Sequence, residues 1–226
     1  MNVLSEESLT RMIDSTMLKP DATKKDIEDV CRLAIEYKFK TVAIGASWIE
    51  FASGLLKGSE VGIDAPVGFP NGYSTTESKV FEAKDALLKG ASEIDMVINI
   101  GWLKSKMHDE VKKDIVAVRN ATKGVILKVI LEVHYLTEEE KRIGANIVAD
   151  TGADFVKTST GFADTGCTES DVKLLLNEVG NRIQVKASGG IRKLSDLLRY
   201  QELGATRFGA SNAHLLIDEL RKTPFY

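Results

Sequence analysis

The sequence has few of the residues that build disulfide frameworks and metal sites. Its 226 residues include two cysteines, Cys31 and Cys167, and three histidines scattered along the chain. Two lone cysteines make neither a disulfide framework nor a zinc site, and no histidine stands at metal-ligand spacing from another. Cys31 falls in a segment of helical period, where we expect it to pack as a small hydrophobic residue. We therefore expect no bound metal and a reducing, cytoplasmic environment.

Long apolar runs and an excess of one charge are also absent. No segment reaches the roughly 18 apolar residues that cross a bilayer. The N-terminal segment has no basic region followed by an apolar run, so no secretory signal is predicted. The net charge is −3, with acids and bases mixed along the chain, and this leaves no basic surface of the kind that binds nucleic acid. We expect a globular protein with neither a membrane nor a nucleic-acid partner.

What the sequence does have is a regular alternation of two patterns. Eight longer segments of helical period separate eight short runs rich in valine and isoleucine, which are RMIDSTML, KTVAIGA, GIDAPVGF, EIDMVIN, VILKVILEV, FVKTSTGF, RIQVKASG and TRFGAS. This alternation predicts parallel βαβ units. Eight such units without a linker predict a (β/α)8 TIM barrel that forms a single domain over residues 1–226. The alternative is an open doubly wound sheet, which is disfavoured because DSTMLKP in the first run is not a Gly-rich dinucleotide turn.

Two helix boundaries can be read from local signals. Thr137 stands three residues before Glu140, which is the spacing of a capping box, and that helical pattern runs to Gly152. Gly90 closes the helical pattern that precedes the fourth strand, as glycine commonly does.

Charged residues stand inside several of the apolar strands. Lys128, Lys157 and Lys186 lie on the fifth, sixth and seventh strands, with Asp95 on the fourth and Asp14 on the first. A single lysine of this kind is as well explained by a side chain that extends to the surface at a strand end. Three on adjacent strands favour a functional site, because burial and neighbouring like charges both disfavour protonation. A lysine in such a cluster can be a free amine near neutral pH and can form a Schiff base with a carbonyl.

The last two loops have the residues of a phosphate site. In barrels, the loops after strands seven and eight often bind phosphate, and here they contain glycines and the start of the last helix, with candidates Gly189, Gly190, Ser211 and Asn212, then Ser188 and Gly161. Glycine lets a backbone approach an anion closely, and a helix start offers free N–H groups. The alternative is that the glycines only form tight turns and that Ser211 or Asn212 only caps the helix.

Four motifs that end successive strands carry a family resemblance. EIDMVIN, KVILE, KTSTGF and KASGGIR occur in this order and resemble the deoxyribose-phosphate aldolases, class I aldolases of the DeoC type. DSTMLKP, GFPNG and RFGAS fit as well, so the resemblance extends over nearly the whole chain. It implies a TIM barrel without metal or cofactor that reversibly cleaves a sugar phosphate, 2-deoxy-D-ribose 5-phosphate, to D-glyceraldehyde 3-phosphate and acetaldehyde. It also implies a homodimer or homotetramer.

The resemblance assigns roles to individual residues. Lys157 of KTSTGF is implied to be the Schiff-base lysine, and Lys186 of KASGGIR to perturb its pKa and help to move protons. Asp95 of EIDMVIN is implied to take part in proton transfer. The role of Lys128 is either to shift these pKa values or to bind a substrate hydroxyl. Asp14, Thr16 and Thr158 complete the substrate-binding candidates.

The sequence departs from the family pattern at two places. The second strand usually carries a cysteine and a nearby proline, but here Ala43 replaces the cysteine and neither Gly45 nor Ala46 supplies the proline. Ser15 stands where the first motif often has a histidine. If Gly45 and Ala46 line the pocket, their small size would admit a bulkier substrate.

Other functions stay open at this point. One is the same Schiff-base chemistry on a different aldehyde or sugar phosphate. Others are a barrel that binds phosphate without a covalent adduct, and an inactive binding barrel. A further hypothesis gives the terminal Tyr226 a role as a proton relay over the mouth of the site, with a frayed tail as the alternative.

Overall fold

Eight parallel strands close into a barrel in the computed structural model of the chain, which describes residues 5–222. The strands pair in chain order, and β8 pairs with β1 to complete the ring. They are β1 (Ile13–Met17), β2 (Thr41–Ile44), β3 (Gly62–Val67), β4 (Glu93–Val97), β5 (Ile126–Ile130), β6 (Phe155–Lys157), β7 (Gln184–Ser188) and β8 (Arg207–Ala210). The predicted (β/α)8 barrel is therefore confirmed, and all eight predicted strands are present.

A layer of helices surrounds the barrel, and two of them were not predicted. The helices are α1 (Glu6–Thr10), α2 (Lys24–Glu36), α3 (Ile49–Leu56), α4 (Thr76–Leu88), α5 (Ile100–Lys104), α6 (His108–Ala121), α7 (Glu138–Ala149), α8 (Glu169–Val179), α9 (Leu194–Leu203) and α10 (Ala213–Lys222). The short helices α1 and α5 interrupt the strict alternation, because each has only 5 residues and shows too little of a helical period to be recognised. No helix within residues 5–222 is long and apolar enough to span a membrane.

Several helices begin at a residue whose side chain forms a hydrogen bond with the backbone. The predicted capping box of α7 is present, with Thr137 and Glu140 each bonded to the other's backbone N–H. Threonine caps with an aspartate three residues later begin α2 and α8 in the same way. The α7 helix ends at Ala149, before Gly152, which lies in the left-handed region with φ +77°. These caps satisfy N–H groups that a helix start would otherwise leave without partners.

The two faces of the strands have opposite chemistry. Side chains that point outward, such as Val129, Val156 and Phe208, are fully buried against the helices and form the main hydrophobic core. Cys31 on α2 belongs to this layer, as predicted. The side chains that point into the barrel include a set of acids and bases, because alternate strand residues face opposite sides of a sheet. The barrel interior is thus where the candidate site lies.

One buried ion pair lies outside the barrel interior. Lys79 of α4 contacts Asp114 of α6 at 2.6 Å, and both side chains are fully buried. The Lys79 ammonium also donates to the carbonyl of Val97 at the end of β4, and Asp114 accepts from the Thr76 hydroxyl. This pair ties two helices to the strand that carries Asp95.

Breaking this pair on one side should destabilise the fold strongly. In Lys79→Met the Asp114 carboxylate stays buried without its cation, and we expect a loss of about 3–5 kcal/mol in the free energy of unfolding, measured with urea. Lys25→Met removes an exposed pair with Asp29 and is the matched control, for which we expect no measurable change. Equal stability of the two variants would contradict the account.

Candidate active site

Eight charged side chains from seven strands meet inside the barrel. Each is at most 5% exposed, and the set comprises Asp14, Asp64, Glu93, Asp95, Lys128, Lys157, Lys186 and Arg207. Four are acids and four are bases, so the cluster is neutral when all of its members are ionised. This balance is what makes so many buried charges tolerable, since a buried charge is costly unless it is paired.

The carboxylate of Asp95 lies at the centre of the three predicted lysines. Its Oδ1 atom accepts from Lys128 at 2.8 Å, and its Oδ2 atom accepts from Lys157 at 2.5 Å and from Lys186 at 2.7 Å. The strand register explains this arrangement, because Asp95 pairs with Lys128, and Lys157 pairs with Lys186, across neighbouring strands. The prediction that these four residues form one cluster is confirmed.

Two of the three lysines have several further acidic partners. The Lys186 ammonium lies 2.5 Å from Asp14 and 2.9 Å from Asp64. The Lys128 ammonium lies 3.0 Å from Asp64 and 2.8 Å from Glu93. Both lysines are therefore enclosed by carboxylates, whereas Lys157 has a single carboxylate contact, with Asp95.

Arg207 completes the cluster and was not predicted. Its Nε atom donates to Asp14 at 2.7 Å and its Nη2 atom donates to Glu93. Asp14 also accepts from the Thr41 hydroxyl at 2.6 Å. Asp64, Glu93 and Arg207 carry the same sequence signal as the lysines, a charged residue within an apolar strand, and that signal would have identified them.

The three lysines differ in the direction of their pKa shifts. Burial lowers the pKa of Lys157, and the neighbouring ammonium of Lys186 lowers it further, against the opposing effect of Asp95. Burial acts the same way on Lys128 and Lys186, but the surrounding carboxylates outweigh it and raise both of their pKa values. Of the three lysines, Lys157 is therefore the one whose pKa is shifted in the direction that favours a free amine.

The carboxylates of Asp95 and Asp64 also differ in the direction of their pKa shifts. Burial opposes ionisation of Asp95, but the three lysines outweigh this effect and hold its pKa well below the usual range. The pKa of Asp64 is raised instead, by burial and by the charge of Asp95. Asp95 is thus a firmly ionised partner for Lys157.

A cavity of about 480 Å³ opens at the carboxyl ends of the strands. Seven of the predicted site residues line it, and they are Thr16, Lys157, Gly161, Ser188, Gly189, Gly190 and Ser211. Lys157 is the member of the charge cluster that reaches this cavity. Lys19 and Arg192 add two cationic side chains to the wall.

Backbone-to-backbone contact forms one wall of the cavity. Gly189 and Gly190 both have positive φ, +85° and +80°, which favours glycine. Gly166 packs against them so closely that a Cβ atom there would lie 2.0 Å from the carbonyl oxygen of Gly189. The glycines of SGGIR thus allow a close approach of the Gly166 backbone, and their predicted approach to a phosphate stays a prediction.

Several predicted substrate-binding residues do not line the cavity. The Thr158 hydroxyl instead joins β6 to β7, accepting from the Ser188 N–H and donating to the Ser188 carbonyl. Asn212 donates to the Arg192 carbonyl at 3.0 Å. Asp14 and Lys128 are fully buried in the cluster beneath Lys157. A direct contact of Thr158, Asp14 and Lys128 with a substrate is not supported, because their polar atoms are directed to protein partners. The Oδ1 atom of Asn212 is buried without a hydrogen-bond partner, so substrate binding by Asn212 stays a prediction.

The departures from the family pattern also lie away from the cavity. Neither Gly45 nor Ala46 lines it, so their small size does not enlarge it, and the reason for expecting a bulkier substrate is lost. Ala43 is buried and lies beside Asp64 in the register of β2 and β3. Ser15 is buried on β1. Tyr226 lies outside the described residues.

A buried glutamate that was not predicted holds another part of the wall. Thr160 lines the cavity, and both its N–H and its hydroxyl donate to the carboxylate of Glu132. The Thr160 hydroxyl in turn accepts from the N–H of Phe162 at 3.0 Å. Glu132 is 2% exposed and has the left-handed φ of +55°. In the sequence, Glu132 is marked only by its position at the end of the KVILE motif. Its contact with Thr160 could not be predicted from the motif, because the two residues are 28 positions apart.

Adding one methyl group at Gly166 should disturb its packing against Gly189 and Gly190. In Gly166→Ala the new Cβ atom meets backbone atoms of Gly189 and Gly190, so we expect about 1–3 kcal/mol less stability toward unfolding by denaturant. Gly54→Ala on α3 adds the same group where nothing lies within 4 Å, and there we expect a gain of roughly 0.5–1 kcal/mol. A neutral or stabilising Gly166→Ala would contradict the close packing described here.

The sequence is similar to known aldolases over most of its length. Residues 9–212 match the family model described as DeoC/LacD family aldolase. A deoxyribose-phosphate aldolase of Clostridium perfringens (strain 13) is 50% identical over 209 residues, which cover 92% of this chain and 93% of the relative. A deoxyribose-phosphate aldolase of Coprothermobacter proteolyticus is 47% identical over 211 residues, with 93% and 96% covered.

A solved structure gives the same result at the level of the fold. The deoxyribose phosphate aldolase of Aeropyrum pernix, described as a tetramer, superposes with a TM-score of 0.90 at 31% identity. The match covers 96% of this chain and 93% of that one. A family model that spans most of the chain, relatives at about half identity over nearly their full length and a shared barrel lead to one conclusion. The chain belongs to the DeoC/LacD family of aldolases.

Proposed function

We propose that this chain is a class I aldolase that reversibly cleaves 2-deoxy-D-ribose 5-phosphate into D-glyceraldehyde 3-phosphate and acetaldehyde. The observation that carries the proposal is Lys157, a buried lysine that lines the cavity and whose pKa is lowered. A neutral amine at this position is a nucleophile toward a carbonyl carbon. The aldolase names of the relatives support the substrate.

The reaction begins with an imine at Lys157. The free amine attacks C1 of the open-chain sugar, and the carbinolamine that results loses water to give the protonated imine. Asp95, 2.5 Å from the lysine nitrogen, is placed to carry a proton between the nitrogen and the leaving hydroxyl. The carboxylate then stabilises the positive iminium, as it stabilises the ammonium in the free protein.

The carbon–carbon bond breaks in the second step. The C3 hydroxyl gives its proton to the hydrogen-bonded relay of Asp95 and Lys186, which replaces the proton that the relay delivers to C2. The C2–C3 bond electrons move to the iminium, and C3 leaves as the aldehyde of D-glyceraldehyde 3-phosphate. The remaining enamine is protonated at C2, and hydrolysis of the imine releases acetaldehyde and restores Lys157. Lys186 is the proposed proton donor in this relay, because it shares Asp95 with Lys157 and its raised pKa keeps it charged.

The phosphate group is proposed to bind in the part of the cavity beside the loops that follow β7 and β8. Gly189, Gly190 and Ser211 line this part, with Lys19 and Arg192. Backbone N–H groups near glycines of positive φ suit an anion, and the two cationic side chains add attraction. Ser211 precedes α10, whose N-terminus favours negative charge.

The chain is further proposed to form a homodimer or homotetramer. The support is the tetramer described for the relative from Aeropyrum pernix. Light scattering on the purified protein tests this directly, and a monomer at working concentration would reject it.

Reductive trapping tests the covalent step. Protein incubated with 2-deoxy-D-ribose 5-phosphate and borohydride should carry a reduced adduct on Lys157, located by mass spectrometry of a digest. Lys157→Arg keeps the positive charge but cannot form the imine, so we expect neither adduct nor turnover. Lys123→Arg changes an exposed lysine in the same way and should behave as wild type.

The outcomes separate the competing functions. An adduct with acetaldehyde but not with the sugar phosphate would keep the chemistry and reject the substrate, and a panel of sugar phosphates would then be compared. Substantial turnover by Lys157→Arg would favour a barrel that works without a covalent adduct. Ligand binding without any turnover in the wild type would indicate an inactive binding barrel.

Removing the proposed proton donor should slow the chemistry and leave binding largely intact. In Lys186→Met we expect kcat to fall by about 10²–10⁴, the usual contribution of a positioned acid or base. KM should change little, because Lys186 does not line the cavity. A variant with wild-type kcat would contradict the role given to Lys186.

A further inference from the structure

Asp64 is a carboxylate of the cluster to which the proposed reaction assigns no step. It lies on β3, is fully buried, and does not line the cavity. Its Oδ2 atom lies 2.9 Å from the Lys186 nitrogen, and its Oδ1 atom lies 3.0 Å from the Lys128 nitrogen. Because it bridges two lysines and does not reach the substrate, any effect of Asp64 on the reaction passes through those lysines.

The electrostatic support of two lysines depends on this residue. Without the Asp64 charge, Lys128 would keep Glu93 and Asp95 as acidic partners, and Lys186 would keep Asp14 and Asp95. Two of these acids, Asp14 and Glu93, are shared with Arg207, which cannot give up its proton. Each buried ammonium would then have two carboxylate partners in place of three, and would lose its proton at lower pH.

Asp64 is also one of the contacts that distinguish the three lysines. Lys186 contacts three carboxylates, those of Asp14, Asp64 and Asp95, and Lys128 also contacts three. Lys157 contacts one carboxylate, that of Asp95. Each of the two lysines that must stay charged thus has Asp64 as one of its three partners, and the lysine that must become neutral has no ion pair with it.

We propose that Asp64 is a positioning residue for the aldol reaction, which holds Lys186 and Lys128 as ammonium groups so that Lys157 is the lysine that loses its proton. The inference rests on the proposed function, because the step that it serves is imine formation at Lys157. The directions of the pKa shifts agree with it. Burial lowers the pKa of Lys128 and Lys186, but the charge of Asp64 is among the causes that raise both. The same charge raises the pKa of Lys157, where it is a smaller cause than Asp95 and the Lys186 ammonium.

The charged groups that act on Asp64 come from β1 and from β4 to β7. They are Lys128 and Lys186, which contact it, then Asp14, Asp95 and Lys157, and Glu93, its neighbour in the register of β3 and β4. On the β2 side its neighbour in the register is Ala43, which brings no charge. Asp64 is therefore the acid that β2 and β3 together contribute to the cluster.

An isosteric change at Asp64 tests the proposal. Asp64→Asn keeps the shape and removes the negative charge, so the Lys186 ammonium is less favoured and loses its proton at lower pH. We expect the alkaline limb of the pH profile of kcat/KM to move to lower pH by about 1–3 units. The KM for 2-deoxy-D-ribose 5-phosphate should stay within about twofold of wild type, because Asp64 does not reach the cavity.

Asp114→Asn is the matched control. It neutralises another fully buried acid that pairs with a lysine, outside the barrel interior. We expect it to lose stability while the pH profile stays that of wild type. A profile of folded Asp64→Asn that superimposes on wild type would overturn the proposal, as would an equal shift in Asp114→Asn.

A second variant keeps the proposal testable if Asp64→Asn does not fold. Asp64→Glu retains the charge, and we expect its alkaline limb to coincide with that of wild type even if kcat is lower. An alkaline limb of Asp64→Glu displaced by one pH unit or more would contradict the role proposed for the Asp64 charge.

Failure of the substrate assignment can be told apart from failure of this inference. The pH dependence of acetaldehyde trapping on Lys157 by borohydride is measured in parallel, and it requires no cleavage of a sugar phosphate. If wild type traps acetaldehyde but does not cleave 2-deoxy-D-ribose 5-phosphate, the substrate is wrong. The shift between wild type and Asp64→Asn in the trapping profile then still supports or rejects the role of Asp64.

Discussion

The contact on which the structure depends is that between the Asp95 carboxylate and three lysines. Asp95 lies within 2.8 Å of the side-chain nitrogens of Lys128, Lys157 and Lys186. These four residues come from four consecutive strands, so the contact exists only when the barrel is closed in the observed register. Folding and site assembly are therefore one event, and a slip of one residue would turn these charges toward the apolar helix layer.

The cluster works because its charges are balanced as a whole but unevenly distributed. Two lysines are enclosed by carboxylates and stay charged, whereas Lys157 lies at the cavity with one carboxylate partner. Burial alone would disfavour all three ammonium groups. Asp14, Asp64 and Glu93 contact Lys128 or Lys186 but not Lys157. Under the proposed function, this distribution leaves Lys157 as the nucleophile.

Much of this arrangement could be predicted from the sequence, because the signals are local. Eight apolar runs between helical segments predict the barrel, and a lysine inside an apolar strand predicts a buried charge. Contacts between residues that are distant in the sequence were harder to predict. Asp64 and Arg207 carry the same local signal as the lysines, but their partners are on distant strands and are apparent only when the charges of the whole interior are considered together. The positions of Thr158, Gly45 and Ala46 relative to the cavity depend on the path of loops, which the pattern of apolar residues does not set. The contact of Glu132 with Thr160 depends on the register of β5 and β6.

The central claim is that Lys157 is neutral at a pH where ordinary lysines are charged. The most direct measurement is the rate at which a small amine-specific reagent labels Lys157 as a function of pH, with exposed lysines of the same digest as the internal reference. The account predicts that labelling of Lys157 rises at a lower pH than the reference, below the usual lysine pKa of about 10.4. A midpoint for Lys157 at or above that of the exposed lysines would contradict it.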